Sequence, residues 1–394
     1  MPLILNEEFA NKLTQLCFDK YFALPSKGKP IEGKEWTLLS GIVQSVNENN
    51  LKVVSLATGT KCIGKNKLTS NGLVLNDSHA EVLCRRALIH YLLGEIKSSY
   101  TGNSSIFEVD SINSRLILKP GIKFHLFSSH TPCGDASIFL KDDHFKNDFS
   151  ETNCEPCIKK QKLNDIYRTG AKCLVQETKQ DLKYPGIAYH TISAVRTKPG
   201  RGDPTLSVSC SDKILRWNYV GLQGAMLSLL IEPIYLSSIT ISGQCPYSYN
   251  ALYRAVVGRL NIPKEKCPTL LQSSLNFQYS KHSSNLNSKA CPLSIIWRIT
   301  NEIENRLLFI LYYEVLVDGH KQGVTKKTMN KKSNMPLVCK KSLFDIFKSL
   351  KKTDNGITYG KVKSEALNYN SKWMEAKKNL GCWTEKPKSL IEFT

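Results

Sequence analysis

The sequence has no long apolar run and no recognisable targeting segment. The most apolar stretch, residues 227–235, is short and contains Glu232 and Pro233, whereas a membrane-spanning helix needs about 20 apolar residues. The first eight residues carry acids where a signal peptide would be basic and then apolar. These absences predict a soluble intracellular protein, in the nucleus or the cytoplasm, whose 13 cysteines are reduced thiols.

Acidic residues are scarce relative to basic ones, 34 against 54, which gives a net charge of +20. The imbalance is strongest in residues 319–394, which contain 17 lysines, no arginine and 6 acidic residues. A basic surface attracts polyphosphates, either nucleic acid or a highly phosphorylated small molecule. A solvated lysine-rich face is the alternative explanation.

Helical and strand-like segments alternate along the chain, which predicts an α/β fold with its site at the strand ends. Helices are expected over residues 7–22, from an N-cap at Asp77 or Ser78, over 249–260, and two or three times before residue 380. Strands are expected at residues 37–44, 51–57, 116–118, 123–127, 206–209, 295–299 and 306–317. The polar stretch 141–165 is typical of an inserted loop.

Reactive side chains stand at three predicted strand-to-helix junctions. His79 precedes Glu81 by two residues, Cys133 follows Pro132, and Cys210 begins a third helix. Catalytic zinc sites use three protein ligands and a water. We therefore predict His79, Cys133 and Cys210 as zinc ligands, with Glu81 as the proton carrier.

The pattern departs from the common H-x-E and P-C-x-x-C arrangement, because Ala136 occupies the position of the second cysteine. The third ligand is therefore assigned to Cys210. Cys133 is expected to open a helix whose backbone N–H groups stabilise its thiolate. For His79 alone, a capping or surface role is the alternative, and the spaced pair Cys154 and Cys157 is interpreted as exposed loop cysteines.

Five segments resemble the adenosine deaminase domain of the RNA-editing deaminases: "LNDSHAEVLCRRALIHYL", "PCGDASIF", "SCSDKILRWNYVGLQGAMLSLLIEPIYLSSI", "EVLVDGHKQGVTKK" and "GCWTEKP". "RTKPGRGDPT" is similar to the short loop of the tRNA branch. The resemblance covers nearly the whole chain. It implies a single deaminase domain over residues 1–394, with a cytidine-deaminase-like central sheet, flanking helices and a helical C-terminal part.

The resemblance also implies zinc-dependent deamination of adenosine to inosine in tRNA, at the adenosine 3′ of the anticodon of alanine tRNA. Thr60 and Lys61 fit positions that contact the target nucleotide. Ala225 and Ser137 replace a serine and an arginine of the double-strand editors, which argues against double-stranded RNA as substrate. No double-stranded RNA-binding domain is expected in the chain. A catalytically silent RNA-binding relative, a deaminase of another structured RNA and a nucleoside deaminase are the alternatives.

The family further implies one buried inositol hexakisphosphate as a structural cofactor. Asp77 and Lys198 resemble residues that link the zinc to this ligand. Lys372 fits its role less well, because it stands one residue too close to Tyr369. The positions that fit the family's contacts are Asn76, Arg85, Arg86, Lys213, Arg216, Trp217, Lys340, Tyr359, Lys363, Tyr369, Lys372, Trp383, Glu385 and Lys386.

Overall fold

A computed structural model describes residues 5–46, 50–111, 115–141, 166–174, 190–198, 203–281, 283, 287–300, 312–325, 327–329, 331–354 and 356–394. The helices there are α1 Glu7–Ala23, α2 Ala80–Tyr100, α3 Cys210–Val220, α4 Gly224–Leu227, α5 Tyr249–Tyr253, α6 Lys340–Lys351, α7 Tyr359–Ser364 and α8 Leu367–Leu380. None of the helices described is long and apolar enough to cross a membrane.

The strands of the described residues include eight that form one sheet and several short pairs. They are β1 Glu35–Trp36, β2 Leu39–Ser45, β3 Leu51–Thr58, β4 Thr60–Cys62, β5 Asp77–His79, β6 Phe107–Val109, β7 Leu116–Leu118, β8 Lys123–Ser128, β9 Phe139–Leu140, β10 Ile166–Tyr167, β11 Lys172–Cys173, β12 Arg196–Thr197, β13 Leu236–Ile241, β14 Thr269–Gln272, β15 Lys289–Ala290, β16 Leu293–Arg298, β17 Tyr313–Val317 and β18 His320–Lys321.

The main sheet is mixed, with strand order β14-β13-β8-β2-β3-β16-β17-β18. Strands β14, β13 and β8 are parallel, and the pairs from β8 through β2 to β18 are antiparallel. The predicted α/β fold with a central sheet and flanking helices is confirmed.

The sheet lies between two layers of helices, because successive strand residues face opposite sides. Val43 packs in a core cluster with Phe9 and Leu13 of α1. Its neighbour Ile42 packs in a second cluster with Leu83 of α2. On this second side, α6 packs against α2 and α8 packs against α3. The helical C-terminal part therefore covers the face that carries α2.

Most predicted elements are present with boundaries shifted by a few residues, including α1, β2, β3, β7, β8 and the three C-terminal helices. The helix of residues 249–260 begins at Tyr249 as expected but continues as a π-helical turn, Arg254–Gly258. Only its first part is a regular α-helix.

Three local predictions are wrong. The N-cap of α2 is His79, because residues 77–79 pair with β4 and stay extended. Cys133 opens no helix: Gly134 has φ +108°, and only a single 3₁₀ turn, Asp135–Ser137, follows. Residues 206–209 form one isolated bridge, between Val208 and Thr197, in place of a strand.

The predicted insertion lies almost entirely outside the described residues, since only its first residue, Lys141, is described. Cys154 and Cys157 lie there too. The interpretation of these cysteines, the insertion and the single-domain boundary of residues 1–394 all stay predictions.

Candidate functional site

The first half of the site is built where β5 passes into α2. The main chain turns into the helix immediately after His79. The His79 Nδ1 lies 2.8 Å from Asp77 Oδ1, which also accepts the backbone N–H of His79 at 3.1 Å. Asp77 thus fixes the ring through one nitrogen and leaves Nε2 as the nitrogen for a further ligand.

Glu81 lies in the first turn of α2 and is 2% exposed. Its Oε2 atom is buried and has no hydrogen-bond partner. A buried carboxylate oxygen without a partner is costly unless a ligand or a proton satisfies it. The orphaned oxygen therefore indicates that this carboxylate faces a binding site.

Two thiols meet at the start of α3. The Cys133 Sγ accepts the backbone N–H of Cys210 at 3.3 Å, and the Cys133 carbonyl accepts that of Ser211 at 3.0 Å. Cys133 therefore occupies the N-terminal end of a neighbouring helix, where free N–H groups favour negative charge. The predicted stabilisation of its thiolate is present, but α3 provides it.

The positive φ of Gly134 permits this close approach of loop and helix. A Cβ atom on Gly134 would stand 2.1 Å from the Ser209 Oγ. Arg254 secures the next residue, with its Nε 3.0 Å from the Asp135 carboxylate. The loop that carries Cys133 is thus held from both sides.

The two thiols have shifted pKa values of opposite direction. A hydrogen bond from Cys210 lowers the pKa of Cys133 to about 6, assisted by the charge of Lys198 and opposed by burial. Burial raises the pKa of Cys210 well above its usual value. The Lys198 Nζ also lies 3.2 Å from the Cys210 Sγ. One thiolate forms readily here, and a second requires another cation.

Of the predicted ligands, Cys133 and Cys210 are in contact at the start of α3, and the charge of His79 helps to lower the pKa of the Cys133 thiol. In the described part of the chain, however, no three His, Cys, Asp or Glu side chains are arranged as a ready ligand set for a metal ion. The zinc assignment therefore stays a prediction.

The predicted substrate contacts lie directly beside His79. Strand β4 pairs with β5 so that Thr60 is opposite His79 and Lys61 is opposite Ser78. The Thr60 Oγ1 is buried without a hydrogen-bond partner, and Lys61 is exposed. Their contact with a nucleotide stays a prediction.

Asp77 also joins this centre to a second site. Its Oδ2 accepts from Lys198 Nζ at 2.9 Å and from Lys213 Nζ. Lys198 touches the Cys210 thiol, whereas Lys213 lines a cavity of about 630 Å³. We call this second site the basic cavity.

The basic cavity brings together nine cationic side chains and two carboxylates among the described residues. The cations are Arg85, Arg86, Lys213, Arg216, Lys340, Lys363, Lys377, Lys386 and Lys388, and the carboxylates are Asp77 and Glu385. Asn76 and the aromatic side chains Trp217, Tyr359, Tyr369, Trp373 and Trp383 complete much of the wall. Every predicted inositol phosphate contact except Lys372 lies in this lining.

Lys372 is a correction. It is exposed and lines a neighbouring cavity of about 300 Å³. On a helix, residues four apart share a face, so Tyr369, Trp373 and Lys377 line the basic cavity while Lys372 points away. Trp373, Lys377 and Lys388 also line the cavity and are not among the predicted contacts. Helical spacing from Tyr369 was the signal that could have found the first two.

The cavity is electrostatically unfavourable in the absence of an anion. Burial, reinforced by neighbouring lysines and Arg86, holds the pKa of Lys386 well below its usual range. Burial also lowers the pKa of Arg85 to about 10. The Arg216 Nε is buried without a partner while its guanidinium lies 4.1 Å from the Trp373 ring centroid. Such a concentration of unmatched cations fits a polyanion.

The chain is similar to known deaminases over nearly its whole length. The profile of the family described as "Adenosine-deaminase (editase) domain" matches residues 55–387. The tRNA-specific adenosine deaminase 1 of Drosophila melanogaster is 35% identical over 97% of this chain and 96% of its own. The protein of that name from Homo sapiens is 32% identical over 98% and 99%. The double-stranded RNA-specific editase Adar of Drosophila melanogaster is 29% identical over 98% of this chain and 55% of its own.

Proposed function

Because this chain belongs to the adenosine-deaminase (editase) family, we propose that it converts adenosine to inosine in tRNA by hydrolytic deamination. Water adds its oxygen to C6 of adenine, the C6–N bond breaks and ammonia leaves. The observation that carries the proposal is the buried, unsatisfied Glu81 oxygen beside His79 and the paired thiols. The tRNA-specific relatives resemble this chain more closely than the double-strand editase does, which supports tRNA as the substrate.

His79 through Nε2 and the thiolates of Cys133 and Cys210 are the groups that would hold a catalytic zinc ion. The donor set of one imidazole and two thiolates is one that zinc prefers. A bound zinc ion would supply Lewis-acid activation of the attacking water at neutral pH. Lys198 stabilises the thiolate of Cys210 by its position at 3.2 Å.

Glu81 performs the proton transfers. Its unpartnered oxygen takes a proton from the attacking water and gives a proton to the amino group that leaves C6. Asp77 holds the His79 ring in one orientation through Nδ1. Catalysis thus depends on two carboxylates with different tasks, one free to accept a proton and one held as an anion by lysines.

The target adenosine in this proposal is the one 3′ of the anticodon of alanine tRNA. A base in an anticodon loop is already partly unpaired, so its transfer into the site costs less than extraction from a duplex. Thr60 and Lys61, on β4 opposite β5, stand where they can contact the nucleotide that carries this base.

The basic cavity holds one inositol hexakisphosphate in this proposal. Nine cationic side chains with two carboxylates fit a compact, highly charged anion, which would relieve the repulsion that helps to lower the pKa of Lys386. Cations from α2, α3, α6, α7 and α8 converge on the cavity. The anion would therefore stabilise the packing of the C-terminal helices.

The decisive experiment incubates the purified protein with total tRNA and sequences the product for adenosine-to-inosine changes. We expect inosine beside the anticodon of alanine tRNA, and no turnover by Glu81→Gln with bound zinc retained. Inosine in duplex RNA but not in tRNA would contradict the substrate. Binding of tRNA without any inosine would favour a catalytically silent relative.

The bound anion is tested separately. Acid denaturation of the purified protein should release about one inositol hexakisphosphate per chain, detected by mass spectrometry of the extract. An extract without it would remove this explanation of the basic cavity. Substrate and cofactor are thus tested by independent measurements.

A further inference from the structure

A second concentration of lysines lies outside the basic cavity. Lys332, Lys341, Lys348 and Lys352 line an open cleft of about 690 Å³, in which Asp345 is the acidic residue. We call it the lysine cleft. Neither the deamination chemistry nor the buried anion requires these side chains.

The lysine cleft and the basic cavity lie on different sides of α6. Residues 341, 345, 348 and 352 are spaced by four, three and four, which places them on one face. Leu343, Phe344 and Phe347 are buried on the other side of the helix. Lys340 lines the basic cavity, whereas its neighbour Lys341 lines the lysine cleft. The helix therefore separates two cationic sites.

The charge of the lysine cleft is mostly unneutralised. Asp345 contacts Lys341 and lies 3.7 Å from Lys348. Within the described residues, Lys332 and Lys352 have no carboxylate at ion-pair distance, and both are exposed. Four cations with one carboxylate leave an excess of three positive charges in contact with solvent. Such a surface fits an extended, hydrated polyanion.

The backbone at Lys352 adds a second observation. Lys352 ends α6 in the left-handed region, with φ +51°. A lysine there costs about 1 kcal/mol that a glycine would avoid. Part of this cost is offset because a cation at a helix C-terminus is favourable. The position nevertheless holds a charged side chain at the rim of the cleft in place of the residue best suited to the backbone.

The lysine cleft is close to His79 along the chain. Asn71 and Leu73 line the cleft, and His79 lies six positions after Leu73. A fully extended segment of that length spans at most roughly 20 Å. A stacked nucleic-acid strand covers that distance in about six nucleotides at ~3.4 Å each.

We propose that the lysine cleft binds the phosphate backbone of the RNA substrate within about six nucleotides of the target adenosine, an inference that rests on the proposed function. Lys332 and Lys352 contact phosphates, while Asp345 limits the strength of the attraction. Contacts of this type position an RNA without reading its sequence.

The test measures the affinity for an alanine tRNA transcript over a series of salt concentrations. Each lost phosphate contact on a single strand lowers the slope of log affinity against log salt by about 0.7. Lys332→Ala/Lys352→Ala should therefore flatten the slope by about 1.4 and weaken binding about 25-fold at 0.1 M salt. We expect KM to rise and kcat to remain unchanged, with recovery in Lys332→Arg/Lys352→Arg.

Control variants distinguish phosphate binding in the lysine cleft from non-specific attraction to a basic protein and from a loss of stability. Lys12→Ala/Lys27→Ala removes two exposed lysines from the α1 side of the sheet and should leave the slope near that of the wild type. Asp345→Asn should tighten binding several-fold, a gain that a purely structural role does not produce. Lys352→Gly should weaken binding without loss of thermal stability, because glycine suits the backbone there.

The outcomes distinguish this inference from the proposed function. An active wild-type protein whose salt slope is the same in the cleft variant and in the control contradicts the lysine cleft alone. A wild-type protein that binds tRNA through the cleft but yields no inosine contradicts deamination alone. Cleft-dependent binding to anionic vesicles, with unchanged binding to tRNA, would overturn the assignment of RNA as the partner.

Discussion

Asp77→Asn tests the connection between the basic cavity and the reactive centre, by which we mean His79, Glu81, Cys133 and Cys210. Asp77 accepts from His79 at 2.8 Å, from Lys198 at 2.9 Å and from Lys213. Burial alone would raise its pKa, but the two lysines, with His79, overcome this and hold the pKa well below its usual range. The side chain is therefore an anion, and asparagine removes its charge while preserving its shape.

The expected decrease in the free energy of unfolding follows from the two lysines that lose their carboxylate partner. Removal of one member of a buried ion pair costs about 3–5 kcal/mol. Lys198 and Lys213 both lose their carboxylate, so we expect the upper end of that range in the free energy of unfolding. The His79 ring loses its orienting acceptor, and such a loss typically lowers metal affinity or activity about 10–100-fold. Urea unfolding and metal analysis of the purified variant measure the two effects.

Glu314→Gln is the matched control. Glu314 is a buried carboxylate on β17 that accepts the Leu337 N–H at 2.7 Å and lies 3.4 Å from Lys321. It should cost stability and leave the metal content unchanged. The reasoning on Asp77 is refuted if Asp77→Asn unfolds within about 1 kcal/mol of the wild type and retains its metal.

Three further predictions concern pH, backbone and charge. Burial, with the charge of Arg298, lowers the pKa of His90 to about 3. As pH falls, the unfolded chain therefore takes up this proton before the folded protein does, and the free energy of unfolding should decrease from about pH 6.5 towards pH 3 by up to about 1.4 kcal/mol per pH unit. Urea unfolding at several pH values should show a smaller dependence on pH in His90→Gln. Gly134→Ala should lower the free energy of unfolding by more than 2 kcal/mol in the same assay, because Gly134 has a φ of +108° and a Cβ atom there would clash with Ser209. The control Gly94→Ala should be neutral or stabilising, because a Cβ atom there would have nothing within 4 Å. If the basic cavity holds inositol hexakisphosphate as proposed, Lys386→Ala should lower the melting temperature of protein saturated with it and raise that of protein without it, because Lys386 attracts the anion and is repelled by the neighbouring cations. A fall in both states would contradict the repulsion.

The types of side chain in the candidate site could be predicted from the sequence better than the main-chain conformation that positions them. His79, Glu81, Cys133 and Cys210 are predicted as site residues because each stands at an expected strand-to-helix junction, and that assignment stays a prediction. The helix expected after Cys133 is absent because Gly134 adopts a positive φ, and its lack of a side chain lets Ser209 lie close. That contact joins residues far apart in the sequence, and no local pattern contains it.

Two adjacent lysines of α6 show more clearly what a local sequence pattern does not predict, because they have the same side chain but lie in different environments. Lys340 and Lys341 are adjacent on α6, yet one lines the basic cavity and the other the lysine cleft. Charge count alone leaves nucleic acid, a phosphorylated small molecule and a solvated face as explanations of the C-terminal excess. Helical periodicity divides it into two faces, and only the packing of α6 against α2 determines which face is enclosed. The net charge of +20 therefore combines cations that line the basic cavity with cations that line the open lysine cleft.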